Sequence, residues 1–149
     1  VGAVRQADGE PDEDYRARVR EMKRLGRRAL RDVEVYDPAT DRWEQRTPMP
    51  LPRHAMDAVV GADGRIYVVG GAVSYSNPVA TKDVQIYDPA HDRWEPGPPM
   101  RHSRFQHAVT VDAEGRIHAI GGFEHTTRGE MPTASVEVLE TGGVLEAGR

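Results

Sequence analysis

The sequence contains no cysteine among its 149 residues, which excludes disulfide staples, a thiolate nucleophile and cysteine-ligated zinc. The same absence leaves the redox compartment open. Lysine is nearly missing as well. Lys23 and Lys82 are the only lysines among 20 basic side chains, a bias that hints at a GC-rich genome and carries no mechanism. Apolar runs are short: Ile66 to Val69 is typical, far below the about 18 residues of a membrane span. No signal-peptide pattern opens the chain, and its start at Val1 rather than Met leads us to expect a processed or truncated piece. Neither sign of charge dominates, because 20 Lys+Arg against 24 Asp+Glu leave a net charge of -4, so bulk attraction to nucleic acid is not expected. Dinucleotide, P-loop, zinc-protease and nucleophile-elbow signatures are all absent. The 38% hydrophobic content is low but adequate for one globular domain with its own core.

What the sequence does have is self-similarity. Tyr36-Asp37-Pro38 with Trp43 returns as Tyr87-Asp88-Pro89 with Trp94; Met49 returns as Met100, Arg53 as Arg104, Gly64 as Gly115, and Gly70-Gly71 as Gly121-Gly122, every pair 51 residues apart. A third, degraded copy begins at Val136-Glu137-Val138-Leu139-Glu140, which echoes Val33 to Asp37 and Val84 to Asp88 without the following Pro or Trp. Such a period overrides any segment-by-segment reading. Within it, Ala55 to Val60 and Ile66 to Val69 predict two strands joined by the turn Gly61-Ala62-Asp63-Gly64. Val84 to Tyr87 predicts a third strand, and Asp88 to Asp92 turns the chain through side-chain capping and a fixed proline φ into a fourth around Trp94.

Four short antiparallel strands in about 50 residues describe one blade of a propeller. The order of Arg, Gly-Gly, Tyr-Asp-Pro, Trp and Met, in register and twice over, resembles the kelch repeat family across roughly residues 32 to 140. The resemblance implies an all-β fold: four-stranded antiparallel blades of an incomplete kelch-type β-propeller. On this reading residues 32–52 are the second half of a blade, 53–100 a complete repeat, and 101–149 a partial repeat with a degraded C-terminus. Val1-Gly2-Ala3 resembles the strand ends at Val69-Gly70-Gly71, so the chain is expected to start in mid-blade. Residues 1–31 then hold the end of a preceding strand and an inserted loop with a helix over about 12–30. Its stripe of Tyr15, Val19, Met22, Leu25 and Ala29 has helical spacing, with Asp12-Glu13-Asp14 at the start and arginines at the end, as the helix dipole favours. The helix is read as a solvated one whose apolar stripe rests on the propeller and whose charges are complemented by acidic blades, with attraction of phosphate or an acidic partner as the alternative, and not as a nucleic-acid site.

In a propeller both faces of each sheet are covered by neighbours, so the inner strands must be largely apolar. Tyr36, Tyr87, Trp43 and Trp94 are expected to bring large buried area to the seams. Function is sought where the copies differ. The loops at 72–82 and 123–133 share almost nothing, and resemblance places them on one face with the links at 50–54 and 101–105. That face would present Arg53, His54, Tyr75, Arg101, His102, Arg104, Phe105, His125 and Arg128, a set rich in the residue types of binding hot spots. Arg53 and Arg104 recur at the repeat spacing, which equally suits a structural ion pair or hydrogen bond.

His102, His107, His118 and His125 cluster in sequence, yet His107 and His118 replace Met56 and Tyr67 of the preceding copy, so no metal site and no cofactor are assigned. Among enzymes that the kelch resemblance brings in, a copper oxidase of the galactose oxidase type needs a Tyr–Cys crosslink, and the iron-dependent specifier proteins carry an E-x3-D-x3-H motif; neither is present. A protein-binding scaffold is therefore expected, with a sialate mutarotase-like propeller enzyme as the alternative. The expected partner is a protein, not a membrane or nucleic acid. Two blades leave sticky faces, so the remaining blades are expected from a longer chain or from homo-oligomerisation.

Overall fold

The computed structural model describes residues 29–73, 79–126 and 129–139, together with Ala17, which is helical. Of the helix expected over about 12–30, Ala29 and Leu30 are not helical, because Leu30 pairs instead with Arg53 in an antiparallel bridge, while its other residues except Ala17, the mid-blade start at Val1, Tyr75 and Arg128 lie outside the described residues. Twelve strands follow in order among the described residues: β1 (Val33–Asp37), β2 (Arg42–Arg46), β3 (Asp57–Val60), β4 (Ile66–Val69), β5 (Val84–Asp88), β6 (Arg93–Pro96), β7 (Arg104–Phe105), β8 (Ala108–Val111), β9 (Ile117–Ile120), β10 (Phe123–Thr126), β11 (Gly129–Pro132) and β12 (Val136–Leu139). They form a four-stranded sheet β3-β4-β5-β6, three-stranded sheets β8-β9-β12 and β7-β10-β11, and the pair β1-β2. All the named pairings are antiparallel. No helix among the described residues is long and apolar enough to cross a membrane.

The turns explain why these strands pair as they do. Gly64 and Gly115 take φ of +78° and +80°, a left-handed conformation that suits glycine, at the hairpins β3–β4 and β8–β9. In the outer hairpins the Asp37 and Asp88 carboxylates accept from the backbone N–H of Ala39 and Ala90 at 2.9 and 3.0 Å. The Tyr36 and Tyr87 hydroxyls donate to Asp41 and Asp92 at 2.7 and 2.6 Å. Identical chemistry 51 residues apart thus folds β1–β2 and β5–β6 into the same shape.

The sheets stack face to face. Tyr67, Val69, Val84 and Ile86 of the four-stranded sheet form one core with Ile117, Ala119 and Leu139 of the next, and Val69 and Ile117 have no exposed surface. Burying such side chains contributes on the order of 1.5–3 kcal/mol each. A hydrogen bond from Val109 N to Asp57 Oδ2, 2.7 Å, also crosses this seam. On its opposite face the four-stranded sheet meets β1–β2: Trp94 Nε1 donates to the Thr47 carbonyl at 2.8 Å, and Thr47 N donates to Asp92 at 2.9 Å.

Burial of the repeated aromatics depends on that neighbour. Tyr87 is 6% exposed and Trp94 half-buried, whereas Tyr36 and Trp43 are 42% and 66% exposed, although both pairs stack with ring centroids near 5 Å. The expectation of four buried seam aromatics is therefore corrected for Tyr36 and Trp43, whose outer face no described residue covers. The inner strands show the same contrast. Val60 is exposed while its repeat counterpart Val111 is half-buried, because β8 packs against β3 and β3 has no described inner strand on its other side. On the far side, Ile120, Val136 and Val138 of the last sheet stand in water.

Within the segment 123–133, read from the sequence as a loop, two strands pair. β10 and β11 pair from Phe123↔Pro132 to Thr126↔Gly129, and β10 joins β7 through Phe123↔Phe105. A second, smaller core of Ala72, Ala80 and Phe105, with Ala55 packed on it, lies beneath these loops.

Candidate functional site

Strand direction sorts the connections onto two ends. The tight turns at 61–65, 88–92 and 112–116 share one end, while the longer connections at 47–56, 70–83, 97–107 and 121–135 share the other. At the turn end arginines are spent on local carboxylates: Arg65 on Asp63 and Glu95, Arg93 on Asp88 and Glu95, Arg116 on Asp112 and Glu114. The loop end is built differently.

Two buried arginines form its foundation. Arg53 is 2% exposed and Arg104 fully buried. Arg53 Nη1 donates to the carbonyls of Gly70 and Asp83 at 3.0 and 2.8 Å, and Arg104 Nη1 to those of Gly121 and Ser135 at 3.0 and 3.2 Å. Each guanidinium thereby ties the lead-in to an inner strand to both ends of its blade's long loop. The partners on the third strand differ. With its amide oxygen turned to the guanidinium, Gln85 accepts from Arg53 Nε and Nη2 at 2.6 and 2.7 Å, whereas Glu137 accepts from Arg104 Nη2 at 2.8 Å.

Glu137 also accepts from the backbone N–H of Arg101 and His102, at 2.5 and 3.1 Å. Burial pushes its carboxyl up, but those backbone donors and Arg104 outweigh it and hold the group below the ordinary glutamate range. A depressed value contributes stability above about pH 4.5 that is lost as pH falls through the folded value. Replacing Glu137 by Gln, the residue that serves the preceding blade, is expected to cost about 1–2 kcal/mol and to flatten the acid limb of the stability curve. Urea titrations of both chains between pH 3 and 7 measure this; an unchanged acid limb would contradict the assignment.

The structure divides the nine candidate residues. Arg53, Arg104 and Phe105 are buried and present no surface to a ligand in this conformation, so the first two do structural work and the third anchors the small core, with its ring 5.8 Å from that of Phe123. His54 is half-buried, and Arg101, His102 and His125 are exposed at the loop end. Tyr75 and Arg128 fall outside the described residues. Sequence reasoning overlooked Gln85 and Glu137, although the echo of Val84 to Asp88 in Val136 to Glu140 held the signal. It also overlooked the exposed apolar side chains of the loop end: Leu30, Leu51, Val73, Val79, Phe123 and Met131. The turn segments of the opposite end expose no large apolar side chain.

Two clefts among the described residues adjoin the sheets. One of about 470 Å³ lies between β1–β2 and the four-stranded sheet, lined by Val33, Val35, Met49, Ile66 and Val68 among others. Another, about 380 Å³, brings Arg101 and Glu137 together beside Pro98, Pro99 and Val138, but that carboxylate is occupied by the donors described above. The four clustered histidines diverge: His102 leans on Glu137, His118 Nε2 meets Asp112 at 2.7 Å, His107 is buried and His125 is exposed. No three His, Asp or Glu side chains converge as metal ligands among the described residues.

Comparison with known proteins agrees with this architecture. The family description "Kelch motif" matches residues 24–50 and 58–101, leaving the degraded copy unmatched. Beta-scruin of Limulus polyphemus is 44% identical over 95 residues, covering 60% of this chain and 10% of that protein. Kelch-like protein 35 of Mus musculus is 37% identical over 116 residues, 77% of this chain and 18% of that protein. Kelch repeat and BTB domain-containing protein 12 of Homo sapiens is 34% identical over 116 residues, 70% and 18% respectively. The chain thus spans between a tenth and about a fifth of the length of these relatives.

Proposed function

Because this chain is built of kelch repeats, a little over two of them, we propose that it is a segment of a β-propeller that serves as a protein-binding scaffold and performs no chemistry of its own. The observation that supports this reading is the asymmetry of the two ends. Away from the sheet faces, the exposed large apolar side chains gather on the loop end, beside Arg101, His102 and His125. Exposed apolar side chains among polar ones are the material of partner-binding faces. The turn end, with its charges paired locally, offers nothing comparable. Of the two clefts described, one is mainly apolar with Asp32, Glu34 and Arg46 in its lining, and the carboxylate of the other already has its donors, which favours the scaffold over the enzyme alternative.

The two open sheet faces, Tyr36 with Trp43 at one side and Ile120 with Val136 and Val138 at the other, are where further blades dock, from a longer chain or from other copies. The inner seams supply the template for that docking. For the binding face the test is a matched set of charge insertions. Val79→Glu and Met131→Glu are expected to weaken capture of the protein partner by tenfold or more, each with little change in melting temperature. Ala90→Glu and Ala113→Glu at the turn end should leave capture intact. Equal loss from both ends, or from neither, would refute the loop-end assignment.

A further inference from the structure

His107 is a base placed where none is needed for packing. Its repeat counterpart is Met56, yet here an imidazole is 8% exposed, and neither ring nitrogen makes a hydrogen bond of good geometry, the Val69 backbone giving only a weak interaction. It fills the gap between the ends of β4 and β9. A Cβ built on Gly70 would lie 2.8 Å from its Cε1, and one on Gly122 2.8 Å from its Cβ. The charged groups facing it are few. Arg104, on its own segment, is buried and positive. Asp57, on β3, is already engaged: its Oδ2 accepts from Val109 N and its Oδ1 from Ala58 N.

We propose that His107 is an acid-sensitive latch between the two stacked blades, closed while its ring is neutral and loosened when the ring takes a proton. A buried imidazolium beside a buried guanidinium is costly, and Asp57 can answer only in part. Burial first and Arg104 second push its proton affinity below the ordinary histidine value of 6.5, against smaller opposing contributions from Asp57 and the Val69 backbone. The opened state therefore binds more protons below that pH, and its population grows by up to tenfold per pH unit until the folded value is reached. The consequence reaches the loop end, because the bonds beside His107 join the loops of adjacent blades: Gly71 N to the Arg104 carbonyl at 2.8 Å, and Gln106 N to the Ala55 carbonyl at 2.8 Å.

The test is amide exchange of the whole chain at pH 7 and pH 5, corrected for intrinsic rates, with the ring protons of His107 titrated by NMR in the same samples. The expected result is a drop in protection of about tenfold or more at Gly71 and Val109, with the ring titrating below 6.5 and no drop in the His107→Met variant. Unchanged protection at the two amides, or a ring that titrates at or above 6.5, overturns the latch. If the variant fails to fold, the wild-type ring titration and exchange decide the matter alone.

Discussion

Arg104→Ala is expected to destabilise the chain by about 3–5 kcal/mol, the cost of removing one partner from a buried ion pair. The substitution strips Glu137, the Ser135 hydroxyl and the carbonyls of Gly121 and Ser135 of a shared donor. The Glu137 side chain, only 11% exposed, is left with a charge that the lead-in backbone alone must balance. Arg53→Ala provides the internal comparison. Its third-strand partner is the neutral Gln85, and the side chain of its acidic neighbour Asp83 is about half exposed at 3.9 Å, so no buried charge is orphaned. Its loss should cost less, about 1–3 kcal/mol. Urea denaturation of the two variants ranks them; equal costs would contradict the picture of one charged and one neutral clamp at equivalent positions.

Gly122→Ala should be nearly as damaging. Gly122 holds φ at +86°, where an L side chain costs about 1–2 kcal/mol, and a Cβ there would stand 2.6 Å from the Phe105 carbonyl and 2.8 Å from His107 Cβ. Neither neighbour can yield cheaply, since one is backbone and the other is seated in the seam, and overpacking of this kind adds about 1–3 kcal/mol. Gly64→Ala isolates the conformational part, because Gly64 has a similar φ of +78° and nothing within 4 Å of its would-be Cβ. The pair is expected to differ by at least about 1 kcal/mol in thermal melts, Gly122 the worse. A reversed order would mean that Gly122 is there for its dihedral angle alone and not for the close approach of the backbone at Phe105 and His107.

These glycines show what was legible beforehand. The turn chemistry of Tyr-Asp-Pro and the glycine pairs is forced by local backbone geometry, so its recurrence could be read directly as repeated strands and hairpins. The sheet order within a blade followed from it. Burial did not follow, because it depends on what lies next to a residue in space: the same Tyr–Trp pair is covered at Tyr87 and open at Tyr36. The arginines were legible in part. Their recurrence at the repeat spacing already suited a structural ion pair or hydrogen bond, but their partners, the loop-end carbonyls with Gln85 and Glu137, are distant in sequence and could not be named from it. The hairpin β10–β11 was hidden because Phe-Glu-His-Thr and Gly-Glu-Met-Pro carry no alternation stronger than that of an irregular loop. Its order comes from docking on Phe105.

The most direct measurement of the stacked-blade account is a methyl-resolved NOE map of the chain. It predicts cross-peaks linking Val84 and Ile86 to Ile117 and Leu139, since these side chains share one core. Val136 and Val138, exposed on the outer side of the last sheet, should show none to the four-stranded sheet. Contacts from Val84 or Ile86 to Val136 or Val138, with Ile117 and Leu139 silent, would mean that the sheets pack through the opposite face, and the assignment of seams and loop end would fail together.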